Sequence, residues 1–228
     1  VVRVQHISAA GVEGVEAGAI VASLEENIRG RTLLFLPRDN IALLKPYALA
    51  RVLLERNPGL AAASVSRTSL TDISVHVVKR SPAALWCPST QSEDCFFIDA
   101  GGFIFARAPH FSGTPYFRYL GIEGEQNPLG RQFLPENMFR NLSYFIEKLK
   151  DLHLSPNSLA LLGTDDYELT LESGVRILFA RSQNITDVYA NLDAALRSDA
   201  LRDGLGAVAY LDLRFGNKVY FKEKGAGD

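Results

Sequence analysis

The sequence predicts an α+β protein in two parts, a βααββ module over residues 1–82 and a mixed β-sheet with packed helices over residues 83–228. Three observations carry this. The apolar residues repeat at helical spacing in some segments and alternate in others, so both element types are present. Before Pro82 the order is strand, helix, helix, strand, strand, which makes a small sheet with two helices on one face. After Pro82 the pattern becomes strand after strand, interrupted by amphipathic helical stretches.

Val2 and Val4 alternate ahead of Gly11 and open the first strand. From Ala17 to Ile28, Ile20, Leu24 and Ile28 fall on one helical face with Val21 beside them, and Gly30 stands where a helix-ending glycine is expected. Thr32 to Leu36 is a short apolar run closed by Pro37. Asp39 or Asn40 can cap a turn, and Pro46 suits the first position of a helix carrying Leu49, Val52 and Leu53. Asn57-Pro58-Gly59 breaks that helix. Ala63, Val65 and Arg67 then share one parity of a strand, and in the next strand Ile73, Val75 and Val77 alternate with Ser74, His76 and Val78.

In the second part, Phe96 to Ile98 and Phe103 to Phe105 flank Asp99-Ala100-Gly101-Gly102 and read as a hairpin. Residues 107–134 are rich in Pro, Gly and aromatics and read as a long surface excursion. Glu136 to Lys150 is an amphipathic helix with Phe139, Leu142, Phe145, Ile146 and Leu149 on one stripe. Leu159 to Leu162, Tyr167 to Leu171 and Val175 to Ala180 read as strands, the last two joined at Glu172-Ser173-Gly174. Thr186 caps a helix that buries Val188, Tyr189, Leu192 and Leu196. Ala207 to Phe215 and Lys218 to Lys222 form the closing strands, split at Gly216-Asn217.

Charge excludes one class of function. The chain carries 24 basic and 26 acidic residues, so strong attraction to nucleic acid or anionic membrane is not expected. No G-x-S-x-G elbow, H-E-x-x-H helix, P-loop or G-x-G-x-x-G turn occurs. The four histidines, at 6, 76, 110 and 153, are scattered, and two cysteines cannot hold zinc alone. Asp165-Asp166 reads as a solvated turn before a strand rather than an acid–base pair. Glu123, Glu125 and Asp94 read as surface charge, and His76 as solvent-facing. His110, among Pro109, Phe111 and Tyr116, offers either a ligand pocket or simple packing. Cys87 and Cys95 bracket a polar loop, either as a disulfide or as two buried thiols. The polar loop between flanking strands favours the bridge, which implies an oxidising compartment.

Six short motifs, in order over nearly the whole chain, resemble the FtsQ/DivIB family of bacterial cell-division proteins. Val4-Gln-His-Ile7 with Gly11 and Gly30-Arg-Thr-Leu-Leu-Phe-Leu36 resemble its POTRA domain. Val77-Val-Lys-Arg-Ser-Pro-Ala-Ala-Leu-Trp86 resembles the junction to its β-domain, with Lys79 where the family often has Glu. Phe97-Ile-Asp-Ala-Gly-Gly-Phe-Ile-Phe105, Leu171-Glu-Ser-Gly-Val175 and Tyr210-Leu-Asp-Leu-Arg-Phe215 resemble β-domain motifs. The cysteine pair is not general in that family.

The resemblance implies a POTRA domain over 1–82 and an FtsQ-type β-domain over 83–228. It implies a non-enzymatic scaffold of the divisome, without cofactor, that joins FtsB-like and FtsL-like partners at the septum outside the cytoplasmic membrane. It also implies a single transmembrane helix of about 20 residues ahead of Val1. The partner surface it implies is the last strand, Lys218, Val219, Tyr220, Phe221 and Lys222, with Asn217, Phe215 and Arg181 beside it. A partner strand adds to that edge; without the resemblance, the lysines read as protection of a bare edge. The rival expectations are another POTRA-bearing envelope protein, or an extracytoplasmic hydrolase or ligand-binding protein built on the loop around His110 and Tyr116.

Overall fold

The computed structural model describes residues 3–225 apart from 13, 29–30, 33–35, 38–39, 42–43 and 122–127. The chain is mixed α+β and divides into two compact units, residues 1–81 and 82–228. Expectations resting on Val2, Gly30, Asp39, Glu123, Glu125 and most of the Thr32–Leu36 run fall outside the described residues.

In the first unit, β1 (His6–Ala10) starts later than the Val2/Val4 alternation suggests, and α1 (Gly14–Ile28) starts three residues before Ala17. Ile20, Leu24 and Ile28 are buried, as one helical face requires. Arg31–Thr32 (β2) and Leu36–Pro37 (β3) make a short hairpin. Pro46 opens α2 (Pro46–Arg56), and Asn57 ends it by directing both its backbone N–H and its side-chain Nδ2 to the Leu53 carbonyl. β4 (Leu60–Arg67) and β5 (Asp72–Lys79) follow.

The sheet order is β1-β5-β4, with β5 parallel to β1 and antiparallel to β4. Val75 and Val77 of β5 pack with Ile20, Leu24 and Leu53 of the helices, while His76 is exposed. Gly11 is required at the end of β1: its φ is +91°, and a Cβ there would lie 2.0 Å from the Val77 carbonyl oxygen. Lys79 pairs with Glu16 of α1 at 2.9 Å.

Among the described residues, the second unit is built on one nine-stranded sheet. Its strands are β6 (Ala84–Cys87), β7 (Phe96–Ile98), β8 (Ile104–Arg107), β9 (Arg118–Leu120), β10 (Pro156–Leu162), β11 (Asp166–Leu171), β12 (Arg176–Ala180), β13 (Val208–Phe215) and β14 (Lys218–Glu223). The order is β14-β13-β12-β11-β10-β9-β6-β7-β8. Helices α3 (Glu136–Lys148) and α4 (Ile185–Leu196) cover one face. Phe139, Leu142 and Phe145 of α3 and Val188 and Leu192 of α4 pack there with Trp86, Tyr119, Leu169, Ile177, Phe179, Leu211 and Leu213. Full burial of a side chain such as Phe139 stabilises by about 2–3 kcal/mol. The opposite face, at the β6–β9 end, carries a smaller cluster of Leu85, Cys87, Cys95, Ala108 and Leu120 under Phe97, Phe111 and Tyr116.

Two expectations are corrected here. Residues 107–134 are not wholly a surface excursion. They contain β9, which lies in the middle of the sheet, parallel to both β6 and β10, with Tyr119 only 2% exposed. Three residues are too few to show a period, and the Pro and Gly around them look like loop punctuation. Gly121 is in fact a packing requirement, since a Cβ there would sit 2.3 Å from the Trp86 ring. The cap of α4 is Asn184, not Thr186: Asn184 Oδ1 accepts the Thr186 N–H at 2.9 Å.

Candidate functional site

The strand order leaves β14 at one end of the sheet, hydrogen-bonded on one side only among the described residues. Its neighbour β13 pairs antiparallel with it across the tight turn at Gly216-Asn217. Which backbone groups face outward follows from one contact. The Lys224 N–H donates inward to the Ala207 carbonyl at 2.7 Å. The strand alternates with a period of two, and the register irregularities insert residues in β13 rather than in β14. Tyr220 and Lys222 therefore turn their N–H and C=O groups inward, and Val219, Phe221 and Glu223 turn theirs to the open edge.

The far end of the sheet is different. Ile104 of β8 donates to the Arg131 carbonyl at 2.9 Å and accepts from Gly130 N–H at 2.8 Å, so segment 130–133 covers that edge. A bare strand edge invites pairing, and proteins ordinarily blunt it. The β14 edge instead concentrates aromatic surface. Phe215 is 55% exposed, Tyr220 52% and Phe221 38%, and the Phe215 and Tyr220 rings meet edge-on at 5.2 Å. On the helix side, Val219 and Phe221 line a shallow cleft of about 300 Å³ with Asn191, Ala195 and Leu201. Lys218 is exposed, and Lys224 Nζ donates to the Gly206 carbonyl.

The turn is fixed from behind. Asn191 of α4 donates to the Gly216 carbonyl at 2.7 Å, and Gln183 donates to the Leu213 carbonyl at 2.8 Å. On the face opposite the helices, Arg214 donates to Asp212 from Nε and Nη2 at 2.8 and 2.6 Å, and from Nη1 to Asp166 at 2.7 Å. Burial pushes the Asp212 carboxyl up, but the Arg214 hydrogen bonds and charge outweigh it and leave it below its ordinary value. Asp166 is thus not the solvated turn residue expected. It begins β11 and anchors Arg214, a partner 48 positions away that local sequence does not reveal.

The structure brings Phe215, Asn217 and Lys218 to Lys222 onto one hairpin, β13–β14, with Val219 and Phe221 on its helix side and Phe215 and Tyr220 in contact with each other. Arg181 stands apart from it. It follows β12 at the same end of the sheet as the hairpin turn, since β12 and β13 are parallel. Its side chain turns toward β11, donating to the Thr164 carbonyl at 2.8 Å and lying 5.7 Å from the Tyr167 ring centroid.

Cys87 and Cys95 are joined in a disulfide with Cα atoms 4.4 Å apart. The bond ties the end of β6 to the start of β7 within the smaller core cluster. His110 is exposed, with Nδ1 3.8 Å from Glu93. A cavity of about 380 Å³ does lie beside Tyr116, lined further by Tyr119, Phe139, Ser143, Glu147 and Lys150, but His110 is not among its walls. Ser143 Oγ shares a 2.8 Å hydrogen bond with Tyr119 OH, whose pKa burial pushes up to about 12. Among the described residues no helix is long and apolar enough to cross a membrane, and no cluster of His, Cys, Asp or Glu is arranged to hold a metal ion. Neither a family model nor a curated protein matches the chain.

Proposed function

We propose that the protein is a non-enzymatic scaffold of the FtsQ/DivIB type, which binds an extended segment of an FtsB-like partner by strand addition to β14. The carrying observation is the edge of β14, which has no strand partner among the described residues and is flanked by exposed Phe215, Tyr220 and Phe221. Outward N–H and C=O groups at Val219, Phe221 and Glu223 supply main-chain bonds, and the aromatic side chains supply specificity. In this reading residues 1–82 are a POTRA domain, supported by the order β1, α1, α2, β4, β5 and by the place of Gly11. FtsL-like proteins join through the same assembly, which regulates septal peptidoglycan synthesis. The protein is held to the cytoplasmic membrane with this region outside, a compartment in keeping with the Cys87–Cys95 bond.

Calorimetric titration with the extracytoplasmic part of an FtsB-like protein tests this. Val219→Pro deletes one outward donor and is expected to weaken binding at least tenfold while circular dichroism stays native. Phe215→Ala removes exposed aromatic surface and is expected to weaken it further without unfolding, because Phe215 is not a core residue. Unchanged affinity in both folded variants would place the partner elsewhere. Arg181→Glu is expected to matter less than either, because Arg181 is engaged at Thr164 and Tyr167.

A further inference from the structure

The cavity of about 380 Å³ in the second unit has no part in the β14 edge. β6, β9 and β10 run parallel, and the cavity lies at their N-terminal ends, where Ala84, Phe117 and Pro156 line it. Cys87 and Gly121 lie at the other end of these strands. The C-terminal turns of α3 wall it on one side, and Glu172, in the turn between β11 and β12, on another. That turn is pinned, because the Glu172 N–H donates to the Ser155 carbonyl at 2.8 Å. Ala83, Ala84 and Ala100 leave space that larger side chains would fill.

The lining divides by polarity. At the floor, the Tyr119 ring centroid lies 5.0 Å from that of Phe117 and 4.8 Å from that of Phe139, and both Tyr119 and Phe139 are buried. The hydroxyls of Tyr119 and Ser143 share one hydrogen bond at 2.8 Å. Two hydroxyls carry two protons and the shared bond uses one, so the pair keeps a donor to spend. At the mouth stand the exposed side chains of Glu147, Lys150 and Glu172, the charged residues of the lining. Among the described residues, none of the three side chains makes an ion pair or a hydrogen bond within the chain.

Two carboxylates against one ammonium leave the mouth with one negative charge in excess. The buried Tyr119 stays a neutral phenol, its pKa pushed up to about 12, and adds no charge. A cavity of this size, with apolar walls and a few converging polar groups, has the proportions of a small-molecule site. We propose that it binds a small organic ammonium ion, with Phe117, Tyr119 and Phe139 against its apolar body and Glu147 and Glu172 holding its charge. A polar group at the far end of the body takes the spare hydroxyl proton of the Tyr119–Ser143 pair. An anion of the same shape is repelled by both carboxylates. This site is separate from the β14 edge and does not depend on the scaffold reading.

The test is an NMR amide titration of the full chain with phenethylammonium chloride, tyramine hydrochloride and sodium phenylacetate at matched ionic strength. Phenethylammonium should give saturable shifts centred on Ala84, Phe117 and Ser143, tyramine should bind more tightly, and phenylacetate should not saturate. Glu147→Gln combined with Glu172→Gln, both at exposed positions, should keep the fold and weaken both amines about tenfold. Ser143→Ala should erase the advantage of tyramine and leave phenethylammonium unchanged. Non-saturating shifts with the amines, or shifts centred elsewhere, would overturn the site. Phenylacetate binding as tightly as phenethylammonium would overturn the choice of a cation. Unchanged amine affinity in the folded double variant would overturn the role of the two carboxylates, and a tyramine advantage that survives Ser143→Ala would overturn that of the hydroxyl pair.

Discussion

Asp212 is almost wholly buried yet stays charged, because Arg214 meets it through both its side chain and its backbone N–H. Its folded pKa is lowered, so its contribution is complete above the ordinary carboxylate range near 4 and is lost as pH falls through the lowered value. Asp212→Asn should therefore cost about 2 kcal/mol at neutral pH. The gap from wild type should hold to about pH 5 and close below about pH 4, followed by urea unfolding across pH. A gap that stays constant into strong acid would show that the charge is not what stabilises. The disulfide has its own prediction. Closing the short 87–95 loop stabilises by about 2–3 kcal/mol. Cys87→Ser with Cys95→Ser should lose that amount, and a reductant that unfolds the wild type at lower urea should leave the double variant unmoved.

At the scale of elements, β9 decides how the second unit is assembled. It joins β6 to β10, and Gly121 just after it leaves room for the Trp86 ring. Gly121→Ala should destabilise by about 1–3 kcal/mol through that overlap, seen as a lower urea midpoint and altered tryptophan fluorescence. An unchanged midpoint would mean the ring can shift without cost. The longer elements were legible in the sequence because their periods repeat: Ile20, Leu24 and Ile28 mark α1, Phe139, Leu142 and Phe145 mark α3, and Ile73, Val75 and Val77 mark β5. β9 was not legible, since three residues carry no period and its strand partners are 33 and 40 positions away. The cap of α4 was misread because Asn184 and Thr186 are both capping types, and only geometry separates them. The hairpin of β13 and β14 was readable from Gly216-Asn217. The Arg214–Asp166 anchor beneath it was not, because it joins strands far apart in sequence.

At the scale of the molecule, each unit has a core of its own, and the β14 edge belongs wholly to the second. Residues 82–228 alone should therefore fold, with native near-ultraviolet dichroism, and bind the FtsB-like partner with unchanged affinity. Loss of binding in that folded fragment would assign part of the partner surface to the first unit. The most direct measurement of strand addition is amide hydrogen exchange along β14, free and saturated with the partner. In the free protein, Tyr220, Lys222 and Lys224 should be protected by β13, while Val219, Phe221 and Glu223 exchange quickly. Partner binding should protect Val219, Phe221 and Glu223 selectively. Fast exchange at those three amides in the saturated complex would contradict pairing at this edge.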